Sequence, residues 1–167
     1  MPISVEKVLR SHPVEASAPC RVDSGGTWDI KALALPMEEV NPVTINIALD
    51  LRTRTSLSPF EEGRVKVSSQ GFARAEAYAF EGLRFDSPFG LFFAAISHFG
   101  FHGMEVTIRS DSPVRAALGG SSTALIALIK ALSKLSIFSG RKALSGKEIL
   151  HLGYHLEDGV SGGNCGL

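Results

Sequence analysis

Two cysteines in 167 residues, Cys20 and Cys165, make neither a metal-ligating spacing nor a disulfide framework. That excludes the small cystine-stapled and zinc-ribbon classes and fits a reduced, cytoplasmic setting. No charge of one sign dominates, because 17 Lys and Arg balance 17 Asp and Glu. A surface without that bias is not built to hold nucleic acid or an anionic membrane in bulk, although it leaves room for one small anion. Long hydrophobic runs are lacking as well. In the most apolar segment the longest unbroken run is Ala124 to Ile129, far short of the ~20 residues a membrane span needs. The N-terminal stretch MPISVEKVLR is charged and has no apolar core of the kind a secretory signal carries. Internal repeats and low-complexity tracts are missing too. What these absences leave is one domain, long enough to bury a core of its own, acting as an enzyme or a binding module.

Alternating α and β signals are present. VTINIAL (Val43 to Leu49), RVKVS (Arg64 to Ser68) and MEVTI (Met104 to Ile108) alternate with the period of half-buried strands. In the last of these, Met104, Val106 and Ile108 share a face. SPFGLFFAAISHF (Ser87 to Phe99) reads as a helix with a serine N-cap and proline in its first turn. Thr123 to Leu135 is apolar nearly all round, which predicts a centrally buried helix. SGKE at Ser145 to Glu148 is a capping box opening a further helix towards His155. Strands early and helices late, without strict βαβ alternation, predict an α+β sandwich of two layers rather than a doubly wound sheet.

LGGSS, Leu118 to Ser122, stands at the mouth of the buried helix. The first N–H groups of a helix lack intrahelical partners, and the helix dipole adds positive charge there. Gly119 and Gly120 let backbone approach a ligand closely, while Ser121 and Ser122 add hydroxyls. Together they describe a phosphate cradle; the alternative is a serine N-cap behind a flexible turn. The Walker A pattern is absent, since no lysine precedes the serine pair.

Two more stretches bear on that choice, APCRVDSGGTWD (Ala18 to Asp29) and LEDGVSGGNCGL (Leu156 to Leu167). With SPVRAALGGSSTA between them, they resemble in order the three signature motifs of the GHMP small-molecule kinases. The first is most similar to the sugar-kinase branch, that of the galactokinases, fucokinases and heptose-phosphate kinases. The resemblance covers about residues 18 to 167. It departs in the central loop, where Arg115 and Ala117 stand in place of two glycines and Gly120 in place of a hydroxyl residue.

The resemblance implies a fold, the two-layer α+β N-terminal domain of these kinases. It also implies a site. Nucleotide binding falls to Leu118, Gly119, Gly120, Ser121 and Ser122, with the cation of Arg115 near the phosphates. Ser121 and Glu157 fall where the family holds Mg²⁺, a hard ion that takes oxygen ligands. Arg21 falls near the reacting oxygen, where it could stabilise phosphoryl charge or keep a carboxylate ionised. Asp29 matches an aspartate that binds sugar hydroxyls, and Gly163 and Asn164 lie in the turn beside the substrate. Each has a plainer reading: Glu157 a solvated charge at a helix end, Asp29 a turn residue after Gly25 and Gly26, Arg21 a strand arginine paired across a sheet. The glycine turn at Gly162 to Leu167 would lead to the catalytic base in the galactokinase branch, so the chain is expected to be the N-terminal portion of a longer enzyme whose ferredoxin-like second domain is absent.

Other residues carry less. His151 and His155 are an i, i+4 pair that could ligate zinc, but no third ligand supports them and a partly buried structural pair is the expectation. Trp28 either stacks on a sugar face or packs in the core. The functional expectation is ATP- and Mg²⁺-dependent phosphotransfer to a hydroxyl of a small sugar or sugar phosphate. The alternatives are an inert sugar- or nucleotide-binding regulator and the family's isoprenoid-diphosphate decarboxylase branch; Asp29 with the Gly25–Gly26 turn favours a sugar.

Overall fold

The computed structural model describes residues 2–23, 36–40, 43, 45–113, 116 and 118–161, with the side chains of Glu38 and Ser161 excepted. Its main sheet has five strands. These are β2 (Val14–Asp23), β3 (Asn46–Pro59), β4 (Arg64–Ser69), β5 (Glu76–Ala79) and β7 (Met104–Ser110). They lie in the order β2-β3-β7-β4-β5. All neighbours are antiparallel except β4 and β7, which run parallel. A short parallel pair, β1 (Ile3–Ser4) and β6 (Phe101–His102), flanks α1 (Glu6–Ser11). The helical layer is α2 (Gly90–Phe99), α3 (Gly120–Phe138) and α4 (Gly146–Ser161). The expected two-layer α+β arrangement is what forms.

α3 is the centre of that arrangement. It packs on β2 and β3 with one side and on α2 and α4 with others, which is why its sequence is apolar nearly all round. Leu125, Leu128, Ile129, Leu132 and Leu135 are fully buried with Val65, Val67, Met104 and Val106 of the sheet. By length and composition alone this helix could cross a membrane, although its unbroken apolar run is short. In the fold, 67% of its most apolar stretch is buried. On its polar side Lys130 and Lys134 donate from Nζ to the backbone oxygens of Ser17 and Glu15, at 2.6 and 2.8 Å. Those two carbonyls lie on β2, an edge strand, so the lysines tie α3 to the edge and fix its register there.

Several sequence expectations hold in detail. Met104, Val106 and Ile108 all face the core. The capping box closes in both directions: Ser145 N–H donates to Glu148 Oε2 at 2.7 Å, and Glu148 N–H to Ser145 Oγ at 3.3 Å. Two expectations are corrected. α2 begins at Gly90, not at Ser87. The Ser87 hydroxyl donates backwards to the Arg84 carbonyl instead of capping the helix. Gly90 sits so close to the Phe85 carbonyl that no side chain would fit, and a turn therefore precedes the helix. The expected strand at Val43 to Leu49 overlaps only the start of β3. Ile45 and Ile47, the residues that suggested it, are exposed, whereas the buried part of β3 uses Thr53, Thr55 and Leu57. Buried threonines do not register in a hydropathy pattern.

Candidate functional site at the N-terminus of α3

Gly119 is the N-cap of α3 and adopts a left-handed conformation, φ 70° and ψ 33°. Glycine alone takes that shape without strain. The N-cap is a glycine, and among the described residues no side chain caps the helix, so the serine N-cap reading does not describe this turn. Instead the chain closes on itself. Thr123 donates both its N–H, at 2.8 Å, and its hydroxyl, at 2.7 Å, to the Gly119 carbonyl. Gly120 and Ser121, the first two residues of the helix, are exposed. The result is a helix N-terminus open to solvent, with the positive end of its dipole at the surface.

Arg21 lies against this turn. It follows a register shift in the β2–β3 pairing between Pro19 and Arg21, the kind of irregularity that re-aims a side chain. Its N–H meets the Leu118 carbonyl at 3.4 Å. A methyl carbon on Gly119 would stand 3.2 Å from Arg21 Nη1, so a side chain here would press on Arg21 as well as strain the backbone. Nε of Arg21 bonds both carboxylate oxygens of Asp23, at 3.1 and 3.2 Å. Arg21 and Asp23 are two residues apart on a strand and hence on one side of it. That pairing lies within β2, between neighbours on one face of the strand.

Glu157 reaches the same place from α4. It is 4% exposed, which removes the reading of a solvated helix-end charge. Both of its carboxylate oxygens accept from the Ser122 hydroxyl at 3.1 Å, and Ser122 is itself fully buried. Burial pushes the Glu157 carboxyl above its ordinary pKa, while the Ser122 hydrogen bond and the positive charge of Arg21 act to lower it. A buried carboxylate beside a hydroxyl is an oxygen donor set of the type a hard divalent cation takes. Among the described residues no cluster of three or more His, Cys, Asp or Glu could hold a metal. Mg²⁺ does not need one, since it commonly binds one or two carboxylates and completes its shell with water and substrate phosphate.

The structure thus brings together Arg21, Leu118, Gly119, Ser122 and Glu157, and sets Gly120 and Ser121 on the exposed face of the same turn. The hydroxyl it pairs with Glu157 is that of Ser122, not that of its neighbour Ser121. Asp29, Arg115, Gly163 and Asn164 lie outside the described residues, as do Gly25, Gly26, Trp28, Ala117 and Cys165. Asp23 and Thr123 escaped the sequence reading. The i, i+2 spacing of Arg21 and Asp23 on a strand could have found the first; Thr123 gives no signal until the αL turn is seen.

Residues 89–167 match a family model described as the GHMP kinases N terminal domain. Similar solved structures include a mevalonate kinase from Methanococcus jannaschii, with TM-score 0.67 and 19% identity over 93% of this chain and 49% of that one. A D-glycero-D-manno-heptose 1-phosphate kinase from Bacteriodes thetaiotaomicron has TM-score 0.65 and 21% identity over 90% of this chain and 51% of that one. A galactokinase from Lactococcus lactis, solved with galactose, has TM-score 0.65 and 16% identity over 93% and 40% respectively. The chain therefore spans about half the length of the solved proteins it resembles. No curated protein matches its sequence.

Proposed function

Because residues 89–167 match the GHMP kinase N-terminal domain and the described chain has that domain's fold, we propose that this protein supplies the nucleotide-binding half of a sugar kinase. The reaction is transfer of the γ-phosphoryl group of ATP to a hydroxyl of a small sugar or sugar phosphate. The observation that carries the proposal is the convergence of Arg21, the uncapped N-terminus of α3 and the buried Ser122–Glu157 pair. Phosphoryl transfer asks a protein mainly for positioning and for stabilisation of charge on the transferring oxygens. Backbone N–H groups of Gly120, Ser121 and Ser122 would bind the phosphates, and Leu118, Gly119 and Arg115 would shape the rest of the cradle.

Mg²⁺ would be held through Glu157 and a serine hydroxyl, and when bound it would neutralise charge on the phosphate oxygens. Ser121 is the ligand the family resemblance implies, and its exposure leaves it accessible; Ser122 is the hydroxyl already at Glu157. Arg21, held by Asp23, would face the phosphoryl group and offset its charge. Asp29 would accept hydrogen bonds from adjacent sugar hydroxyls, with Gly163 and Asn164 lining the same side. The sugar assignment is supported by the Ala18 to Asp29 stretch, and a cytoplasmic setting by the paucity of cysteine.

The test is a phosphotransfer assay on the longest natural form of the protein, with ATP, Mg²⁺ and a panel of free and phosphorylated sugars, mevalonate and its phosphates. Sugar-dependent ADP release is the expected result. Turnover with a mevalonate compound alone would overturn the sugar assignment. In the active enzyme, Asp29→Ala should raise the sugar KM about ten- to a hundredfold and spare that for ATP, as expected for loss of charge-assisted hydrogen bonds. The 167-residue chain by itself should bind nucleotide weakly and give no sugar-dependent turnover.

A further inference from the structure

His151 and His155 stand one turn apart on α4, both exposed, with their Nε2 atoms 3.0 Å from each other and their rings edge to face at 82°. This is not the partly buried structural pair the sequence suggested. Both rings lie at the surface, where His155 also meets the ring of Tyr154 edge-on at 5.5 Å. The helix brings them together: side chains at i and i+4 share a face, and here the two Nε2 atoms are the ring nitrogens that meet.

That separation is also one that two nitrogens on a single transition ion take. With metal–nitrogen distances of about 2.0–2.1 Å, two nitrogens at a right angle on one ion lie about 2.9 Å apart, and at the tetrahedral angle about 3.3 Å apart. The observed 3.0 Å lies between them. We propose that His151 and His155 form a two-point chelate for a borderline divalent transition ion, Zn²⁺, Ni²⁺ or Cu²⁺, on the outer face of α4. In the metal-free pair one ring donates Nε2–H to the lone pair of the other. On binding, the donor ring carries its proton on Nδ1 and presents Nε2 as a second lone pair. Among the described residues no third His, Cys, Asp or Glu completes the shell, so water or an outside ligand takes the remaining positions. Mg²⁺ and Ca²⁺, which take oxygen ligands, are not bound here. The site is separate from the Mg²⁺ site proposed above and does not depend on it.

The experiment is calorimetric titration of Ni²⁺ into the tag-free 167-residue protein, with Mg²⁺ in excess to occupy any oxygen site. One equivalent should bind, and Cu²⁺ should displace it, following the ordinary order of affinities for nitrogen ligands. His151→Ala and His155→Ala should each weaken binding about a hundredfold or more, because the second contact is intramolecular. His98→Ala should leave it unchanged. Both chelate side chains are exposed, so neither loss should disturb folding, which far-UV circular dichroism checks. Absence of binding, or binding that survives removal of either ring, would overturn the proposal.

Discussion

Ser122 and Glu157, 35 residues apart in sequence, share a hydrogen bond of 3.1 Å inside the fold. It joins the first turn of α3 to the C-terminal part of α4, the helix that the Ser145–Glu148 capping box opens. Helix placement and site chemistry are one problem here, and stability measurements report on both.

The sign of the Glu157 shift gives a pH prediction. Its pKa in the folded chain is raised above the usual 4.5, chiefly by burial. Its contribution to stability is therefore fully present below the unfolded value and is lost as pH rises through the folded value. Glu157→Gln removes that loss. In metal-free buffer the variant should melt higher than the parent near neutral pH, and the gap should close below about pH 4. Thermal unfolding of both across pH checks it; a gap independent of pH would mean the carboxylate is not the cause.

The two serines separate structure from chemistry. Ser122→Ala deletes a buried hydrogen bond to a carboxylate and should cost about 1.5–3 kcal/mol of stability. Ser121 is exposed, so Ser121→Ala should change stability by no more than about 0.5 kcal/mol. In the complete enzyme it should still lower turnover more than nucleotide affinity, if it holds the metal in the transition state. Urea denaturation of each chain and steady-state kinetics at varied Mg²⁺ measure the two halves.

Gly119→Ala should fail on two counts. Its φ of 70° is unfavourable for alanine, and the new methyl meets Arg21 Nη1. A loss of more than about 1 kcal/mol is expected, together with weaker nucleotide binding as the turn and Arg21 move apart. Gly140, with φ 74° and open space where a Cβ would go, is the control: its alanine variant should lose stability and leave binding unchanged.

Asp23→Asn keeps the size of the side chain and removes the charge that holds Arg21 Nε. Arg21 should then be less well ordered, and turnover of the complete enzyme should fall with little change in ATP affinity. The reverse pattern, intact turnover with lost affinity, would place Arg21 in ground-state binding alone.

What the sequence disclosed, and what it withheld, divides along physical lines. The buried helix α3, the strand at Met104 to Ile108 and the capping box were legible because each is a local pattern with one dominant cause: all-round burial, period-2 alternation, reciprocal hydrogen bonds. The start of α2 was not, since whether Ser87 caps forward or bonds back to Arg84 depends on how closely Gly90 packs on Phe85. Nor was the limit of β3, whose core face is carried by threonines. At the site, the glycine–serine turn and Glu157 could be named from their motifs. The choice of Ser122 over Ser121 as the hydroxyl at Glu157 could not, because it depends on the rotation of α3 against α4, a tertiary quantity. The approach of Arg21 to Gly119 likewise rests on the register shift after Pro19, which no spacing reveals.

Calorimetric titration of ATP into the 167-residue chain, with and without Mg²⁺ and in parallel on Glu157→Gln, tests the central claim most directly. The account expects one weak site in the parent chain, strengthened by Mg²⁺, and loss of that Mg²⁺ effect in Glu157→Gln with the Mg²⁺-free affinity retained. Binding that ignores Mg²⁺ in the parent, or a Mg²⁺ effect that survives in the variant, would contradict it.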